Sequence, residues 1–252
     1  MITRRLKIAV LALAGMMLAL GGAPALAADT QVAVAANFTE PAKEIAAAFN
    51  TATGHTAVLS FGASGAFYTQ ISKGAPFEIL LSADADRPKK IEADGLAAPG
   101  ARFTYAIGRL VLYSKTPGFV DASGTAALAK AAKVAIADPA AAPYGVAAVE
   151  TLTKLGVYDQ IKPKIVTGSS IAQAYQFVDT GAAEVGFVAL SQVINEKGGS
   201  RWLVPTSDHA PIEQQAVLLK TGQANEAAKA FMSFLKGPQA VAIIKRYGYE
   251  VK

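Results

Sequence analysis

The 252-residue sequence contains no cysteine, one tryptophan and only two histidines, His55 and His209. Without thiols there is no disulfide, no thiolate zinc site and no cysteine to carry a lipid anchor, and two histidines make a His-rich metal site a poor expectation. The Gly-x-x-x-x-Gly-Lys phosphate loop and the Gly-x-Gly-x-x-Gly dinucleotide fingerprint are both missing. Lysines and arginines form no cluster with interleaved aromatics, which argues against a nucleic-acid partner. The apolar run Ile8–Leu20 is too short to span a bilayer, which needs about 20 residues. It follows Arg4, Arg5 and Lys7 and precedes Ala25-Leu26-Ala27, the pattern of a cleaved signal peptide over residues 1–27. A mature chain beginning at Ala28, exported to a bacterial periplasm and not inserted in the membrane, is therefore expected. Removing the three basic residues leaves 21 basic against 19 acidic side chains, so the formal charge falls from +5 to +2. The basic excess belongs largely to the targeting segment.

What remains alternates between short apolar runs and amphipathic stretches. Gln31–Ala36, Thr56–Leu59 and Phe77–Leu81 read as strands, with helices after Asn37 and Ser64 and another led in by Ser82-Ala83-Asp84-Ala85-Asp86. This punctuation predicts an α/β fold with mostly parallel sheets flanked by helices. The run Phe103–Tyr113, broken at Gly108-Arg109, reads as a strand crossing into a second lobe. There Val134–Ala137, Lys164–Thr167 and Glu184–Leu190 repeat the theme, and the chain returns near Ala216–Leu219. The expected division is residues 28–107 with 216–252 in one lobe and 108–215 in the other, joined by two crossover strands. Two helices, around 227–235 and 239–247, close the chain.

Four junctions share one form, a strand end running into a helix start, and they centre on Asn37, Ser64, Tyr144 and Ile171. The fullest is Ser60-Phe61-Gly62-Ala63-Ser64-Gly65-Ala66, where Gly62 and Gly65 permit a close backbone approach. First-turn N–H groups lack intrahelical partners and sit at the positive end of the helix dipole. With the Ser64 hydroxyl they make a small anion site, although Ser64 acting only as a helix cap is the plainer reading of that residue alone. Asn37, with Glu40 three residues on, reads as the start of a capping box. In open α/β sheets ligands bind beyond the carboxyl ends of strands, where all four junctions fall.

Catalytic readings fare less well. Gly62-Ala63-Ser64-Gly65-Ala66 departs from the Gly-x-Ser-x-Gly nucleophile elbow at its last position, and a secreted serine hydrolase would need His55 or His209 as its base. Both histidines read as solvated loop residues. Asp84 and Asp86 could form a general acid–base pair, but acidic residues opening a helix are the commoner explanation.

Val58–Ala66, Lys73-Gly74-Ala75-Pro76-Phe77, Ser82-Ala83-Asp84, Ala142-Pro143-Tyr144-Gly145, Leu152–Pro163 and Phe234-Leu235-Lys236-Gly237-Pro238-Gln239-Ala240 resemble, in this order, the periplasmic molybdate-binding proteins. The resemblance covers nearly the whole mature chain. It implies the two-lobed periplasmic-binding-protein fold, joined by a two-strand hinge, with no cofactor and no enzymatic activity. It implies capture of molybdate or tungstate as the oxyanion, with no free metal cation, and delivery by a monomer to the membrane permease of an ABC importer. Another tetrahedral oxyanion such as sulfate is the alternative ligand. By the same resemblance the oxyanion contacts fall on Asn37, Ser64, Tyr144 and Ile171, the last two chiefly through backbone N–H. Two positions depart from the family pattern: Ala36 stands where a hydroxyl residue is frequent, and Ala189 where many members place a ligand-contacting tyrosine. The expectation is that the Tyr144 hydroxyl takes over from the latter.

Overall fold

The computed structural model describes residues 27–251; the basic residues and apolar run assigned to a signal peptide lie outside them. In chain order β1 (Asp29–Ala35), a 3-10 turn (Ala36–Phe38), α1 (Thr39–Thr53), β2 (Thr56–Gly62), α2 (Ser64–Ser72), β3 (Ile79–Ser82), α3 (Asp86–Ala93) and β4 (Ala97–Gly108) build the first lobe. The second follows with β5 (Leu110–Ser114), α4 (Thr125–Lys130), β6 (Val134–Ala137), α5 (Pro143–Lys154), α6 (Tyr158–Ile161), β7 (Ile165–Gly168), α7 (Ile171–Asp179), β8 (Val185–Ala189), α8 (Leu190–Val193) and β9 (Ser200–Leu203). The chain returns to the first sheet with β10 (Ile212–Leu219) and ends in α9 (Glu226–Leu235) and α10 (Pro238–Arg246).

Each lobe holds a five-stranded sheet, ordered β2-β1-β3-β10-β4 in one and β7-β6-β8-β5-β9 in the other. In the first, β1 pairs parallel with β2 and β3, while β10 runs antiparallel to β3 and β4. In the second, β6 pairs parallel with β7 and β8, while β5 runs antiparallel to β8 and β9. Four strands of each sheet thus share a direction. The strand running against them is in each case the one on which the chain arrives from the other sheet.

Helices cover both faces, so the central strands are apolar on both sides. Along β1, Val32 and Val34 pack against Phe38, Ile45, Phe49 and Phe231, while Ala33 between them faces Phe67, Ile71, Leu80 and Ile91. The main cluster of the second lobe, with Leu110, Leu112, Ile136, Leu152 and Phe187, continues through Ala142, Tyr144 and Ile171 to Ala35, Ala36 and Ala83 of the first lobe. The two lobes are therefore in apolar contact where the strand ends of both sheets meet.

Three stretches not read as regular structure in the sequence form α4, α6 and β9. The helix expected to open with Asn37 as its cap starts later: Asn37 lies inside the 3-10 turn, and Phe38 precedes α1 without a side-chain capping bond. The capping box with Glu40 is not formed. Glu40 instead accepts a hydrogen bond from Lys43.

Candidate oxyanion site

Asn37, Ser64, Tyr144 and Ile171 line one cavity, together with Ala35, Ala36, Gly62, Ala63, Ala83, Ala142 and Pro143. Its free space is about 200 Å³, part of it open to solvent. The lining carries no formal charge. Three helices and the 3-10 turn start at its wall. Ala63 and Ala142 precede α2 and α5 without giving a side-chain hydrogen bond, which leaves first-turn N–H groups to the cavity. Pro143, first in α5, has no N–H and a φ preset for a helix, so Tyr144 is the first donor of that helix. At α7, Ser170 Oγ accepts from Gln173 N–H and so does not occupy the Ile171 N–H.

Ser64 is fully buried, and the expectation that it caps α2 is overturned. It is the first residue of the helix, and its Oγ accepts the Ala83 N–H at 2.9 Å. A hydroxyl has one proton and two lone pairs. With one lone pair held by Ala83, the Ser64 hydroxyl is oriented by the segment that follows β3 and its proton remains available as a donor. The same bond argues against a nucleophilic serine, because neither histidine is bonded to Ser64 Oγ. Nor are the histidines solvated, as expected from the sequence: both are buried. His55 Nδ1 accepts the Ala28 N–H at 3.1 Å beside the Phe49 ring, and His209 Nδ1 lies 2.7 Å from the Ala210 carbonyl. Asp84 and Asp86 do not act as a pair either. Asp84 accepts from the Arg87 backbone N–H at 3.0 Å and pairs with its guanidinium, while Asp86 lies beside Lys89.

The side chain of Asn37 turns from the cavity to the junction of the lobes. Its Nδ2 donates to Gln214 Oε1 and to Tyr249 Oη, each at 2.9 Å, and its carbonyl accepts from Ser191 Oγ at 2.8 Å. Tyr249 Oη lies 2.9 Å from both the Asn37 carbonyl and Ser191 Oγ and donates its single proton to one of them. Tyr105 Oη donates to Gln214 Oε1 at 2.9 Å, and Gln214 Nε2 donates to Tyr144 Oη at 3.2 Å. The Tyr144 hydroxyl is thus engaged by Gln214, packed over Gly108, where any Cβ would collide with it. The Tyr144 N–H, first donor of α5, has no partner within the helix. Burial pushes all three phenols up, Tyr249 to about 12 and Tyr105 and Tyr144 well above the ordinary tyrosine value. None of Gln214, Ser191 and Tyr249 was singled out from the sequence. They come from segments 154 to 212 residues away from Asn37 along the chain, and no local pattern marks them.

Residues 30–250 match the bacterial extracellular solute-binding protein family. The chain belongs to it. A Rhodobacter capsulatus relative, named molybdate-binding protein ModA, is 59% identical over 226 residues, 90% of each chain. The solved structure of the periplasmic molybdate-binding protein of Azotobacter vinelandii superposes with a TM-score of 0.85 at 44% identity, covering 88% of this chain and 99% of that one. The sulfate-binding protein SubI of Mycobacterium tuberculosis shares the fold at a TM-score of 0.73 and 15% identity, covering 89% of this chain and 87% of its own. The two-lobed α/β fold expected from the sequence is thus that of solved members of the class.

Proposed function

We propose that this solute-binding protein captures molybdate or tungstate between its lobes in the periplasm and hands it, as a monomer, to the permease of an ABC importer. The observation that carries the reading is one uncharged cavity at which three helix N-termini, a 3-10 turn and the oriented Ser64 hydroxyl converge. The name of the 59%-identical relative supports the choice of ligand. The chemistry is binding and release. Neutral donors and helix dipoles offset a dianion without a lysine or arginine in the wall. Each hydrogen bond to the charged group contributes roughly 1.5–3 kcal/mol, so a handful gives tight capture. In this reading the lobes divide near residue 107 and, on the return, at the start of β10 rather than at 216, because β10 pairs in the first sheet from Ile212 onward, and they hinge on the strands that cross between the sheets.

Selectivity follows from a cavity rich in donors. Phosphate keeps a proton at neutral pH that would find no acceptor there, costing about 1–3 kcal/mol. Sulfate is a dianion and is rejected by its shorter bonds, which leave donors out of reach. A thermal-shift panel should show large stabilisation by molybdate and tungstate, little by sulfate and least by phosphate. Equal affinity for sulfate or phosphate, measured by competition calorimetry, would overturn the ligand assignment.

A further inference from the structure

We infer that Arg87 is a positioning residue that clasps the second lobe beside the oxyanion cavity and sets how long the ligand stays. The inference rests on the oxyanion reading above. Arg87 lies in the first turn of α3 and is held from below by Asp84. One carboxylate oxygen accepts the Arg87 backbone N–H and the Ser82 hydroxyl, at 3.0 and 3.1 Å, and the other pairs with Nη1. Both side chains are largely buried, at 21% and 16% exposure. The guanidinium fork still has donors to spare. Nη2 crosses the cleft to the carbonyl of Ala140 at 3.1 Å.

The loop that receives it is built to do so. Asp138 bonds back to its own turn, its carbonyl accepting from Ala141 and Ala142 N–H and its carboxylate from Ala140 N–H. The Ala140 and Ala141 carbonyls are thereby turned toward the first lobe. Ala141 accepts the Gly65 N–H at 3.0 Å, so the second donor of α2 binds the opposite lobe while the first, at Ser64, remains for the ligand. The clasp stands one residue beyond Ser64 on one side and immediately before Ala142 on the other, so it can form only when the cavity walls are together. The approach is tight at Gly65, where a Cβ would lie 3.0 Å from both Arg87 Nη2 and the Ala141 oxygen. Asp84 also neutralises Arg87. The residue can therefore clasp without adding net charge to the cavity, and Asp84, set aside above as a catalytic acid, has its role here.

Two variants reach the clasp by different routes. Arg87→Ala removes the charged donor, and Gly65→Ala wedges the lobes apart while placing a better helix former in α2. Release of bound molybdate into excess tungstate, followed by rapid desalting and metal analysis, should accelerate about tenfold or more in each. Spin labels at Lys73→Cys and Lys133→Cys, the only thiols in the chain, should report longer lobe-to-lobe distances in both molybdate-loaded variants. Ligand-free melting should fall for Arg87→Ala, which leaves the largely buried Asp84 carboxylate without its cation, and hold or rise for Gly65→Ala, so the second variant separates the clasp from a loss of stability. Release rates and distances matching the parent would overturn the clasp. So would faster release from Gly65→Ala accompanied by a lower ligand-free melting point, which would indicate a damaged helix. If the parent ignores molybdate but is stabilised by sulfate, only the ligand reading falls, and the same two measurements with sulfate as probe decide the clasp.

Discussion

At the scale of single residues, Ser64 separates what a side chain does for the fold from what it offers a ligand. Its acceptor lone pair is taken by the Ala83 N–H, which ties α2 to the segment after β3. Its proton is not needed by the fold. Ser64→Ala should therefore weaken oxyanion binding by roughly 1.5–3 kcal/mol and also destabilise the ligand-free protein by about 1–3 kcal/mol, because a buried N–H loses its acceptor. Calorimetry and ligand-free melting read the two effects separately; lower stability with unchanged affinity would remove Ser64 from the site. Asn37 divides its groups in another way. Its side chain and carbonyl are spent on Gln214, Tyr249 and Ser191, so it can serve a ligand only through its backbone, and replacing its amide should act first on the junction of the lobes.

Among the elements, the helix starts carry the design, and they were also what the sequence displayed best. Ala63, Ala142 and Ser170, small residues after a strand, precede α2, α5 and α7, and the sequence therefore marks Val134–Ala137 and the helices at 143 and 171 within a residue or so. The caps were misread because a serine or asparagine beside a helix start has local partners on paper and distant ones in the fold. The Ala83 N–H takes the Ser64 oxygen that a first-turn N–H would have used, and the Asn37 amide is drawn away to donate to Gln214 and Tyr249. The elements that escaped notice are short: α4 and α6 have six and four residues, and β9 is a four-residue edge strand that alternates between half-buried and exposed. Such segments depend on neighbours for their conformation and carry little periodicity of their own. Helix α5 supplies a test. Alanine usually improves on glycine in a helix by about 0.8–1 kcal/mol. At Gly145, however, a Cβ would run into the Ala137 carbonyl and sit 2.9 Å from Pro139 N. Gly145→Ala should cost about 1–3 kcal/mol of stability. It should also reduce oxyanion affinity, since the displaced turn carries the Tyr144 N–H. A variant as stable as the parent by chemical unfolding would show that α5 is not held against β6 in this way.

For the whole molecule the question is what holds two separately cored lobes in one arrangement. In the proposed cycle the clasp at Arg87 and Gly65 lies by the cavity, and the network of Asn37, Tyr105, Tyr144, Ser191, Gln214 and Tyr249 lies at the crossing strands. That network is buried and polar, with hydrogen bonds passing between the lobes at Ser191–Asn37 and Gln214–Tyr144. Polar networks of this kind favour one geometry because every alternative leaves groups unpaired. They also have a pH limit. Tyr105, Tyr144 and Tyr249 are held neutral chiefly by burial, Tyr249 up to about 12, whereas an unfolded chain releases phenol protons near pH 10. Between those values the unfolded state binds fewer protons than the folded one, so stability falls as pH rises. The contribution of the three phenols is fully present below about pH 10 and declines above it, that of Tyr249 being lost through about 12. Melting temperature should accordingly be insensitive to these groups near neutrality and decline steeply above about pH 10. Phenolate absorbance should reveal at least three of the eight tyrosines ionising only as the protein unfolds. Replacing Tyr249 with Phe removes one of these protons and should flatten the alkaline decline, even as the loss of its bonds to Asn37 and Ser191 lowers stability at neutral pH. An alkaline limb unchanged by Tyr249→Phe would mean that another group sets the limit and that the junction of the lobes survives ionisation of its phenols.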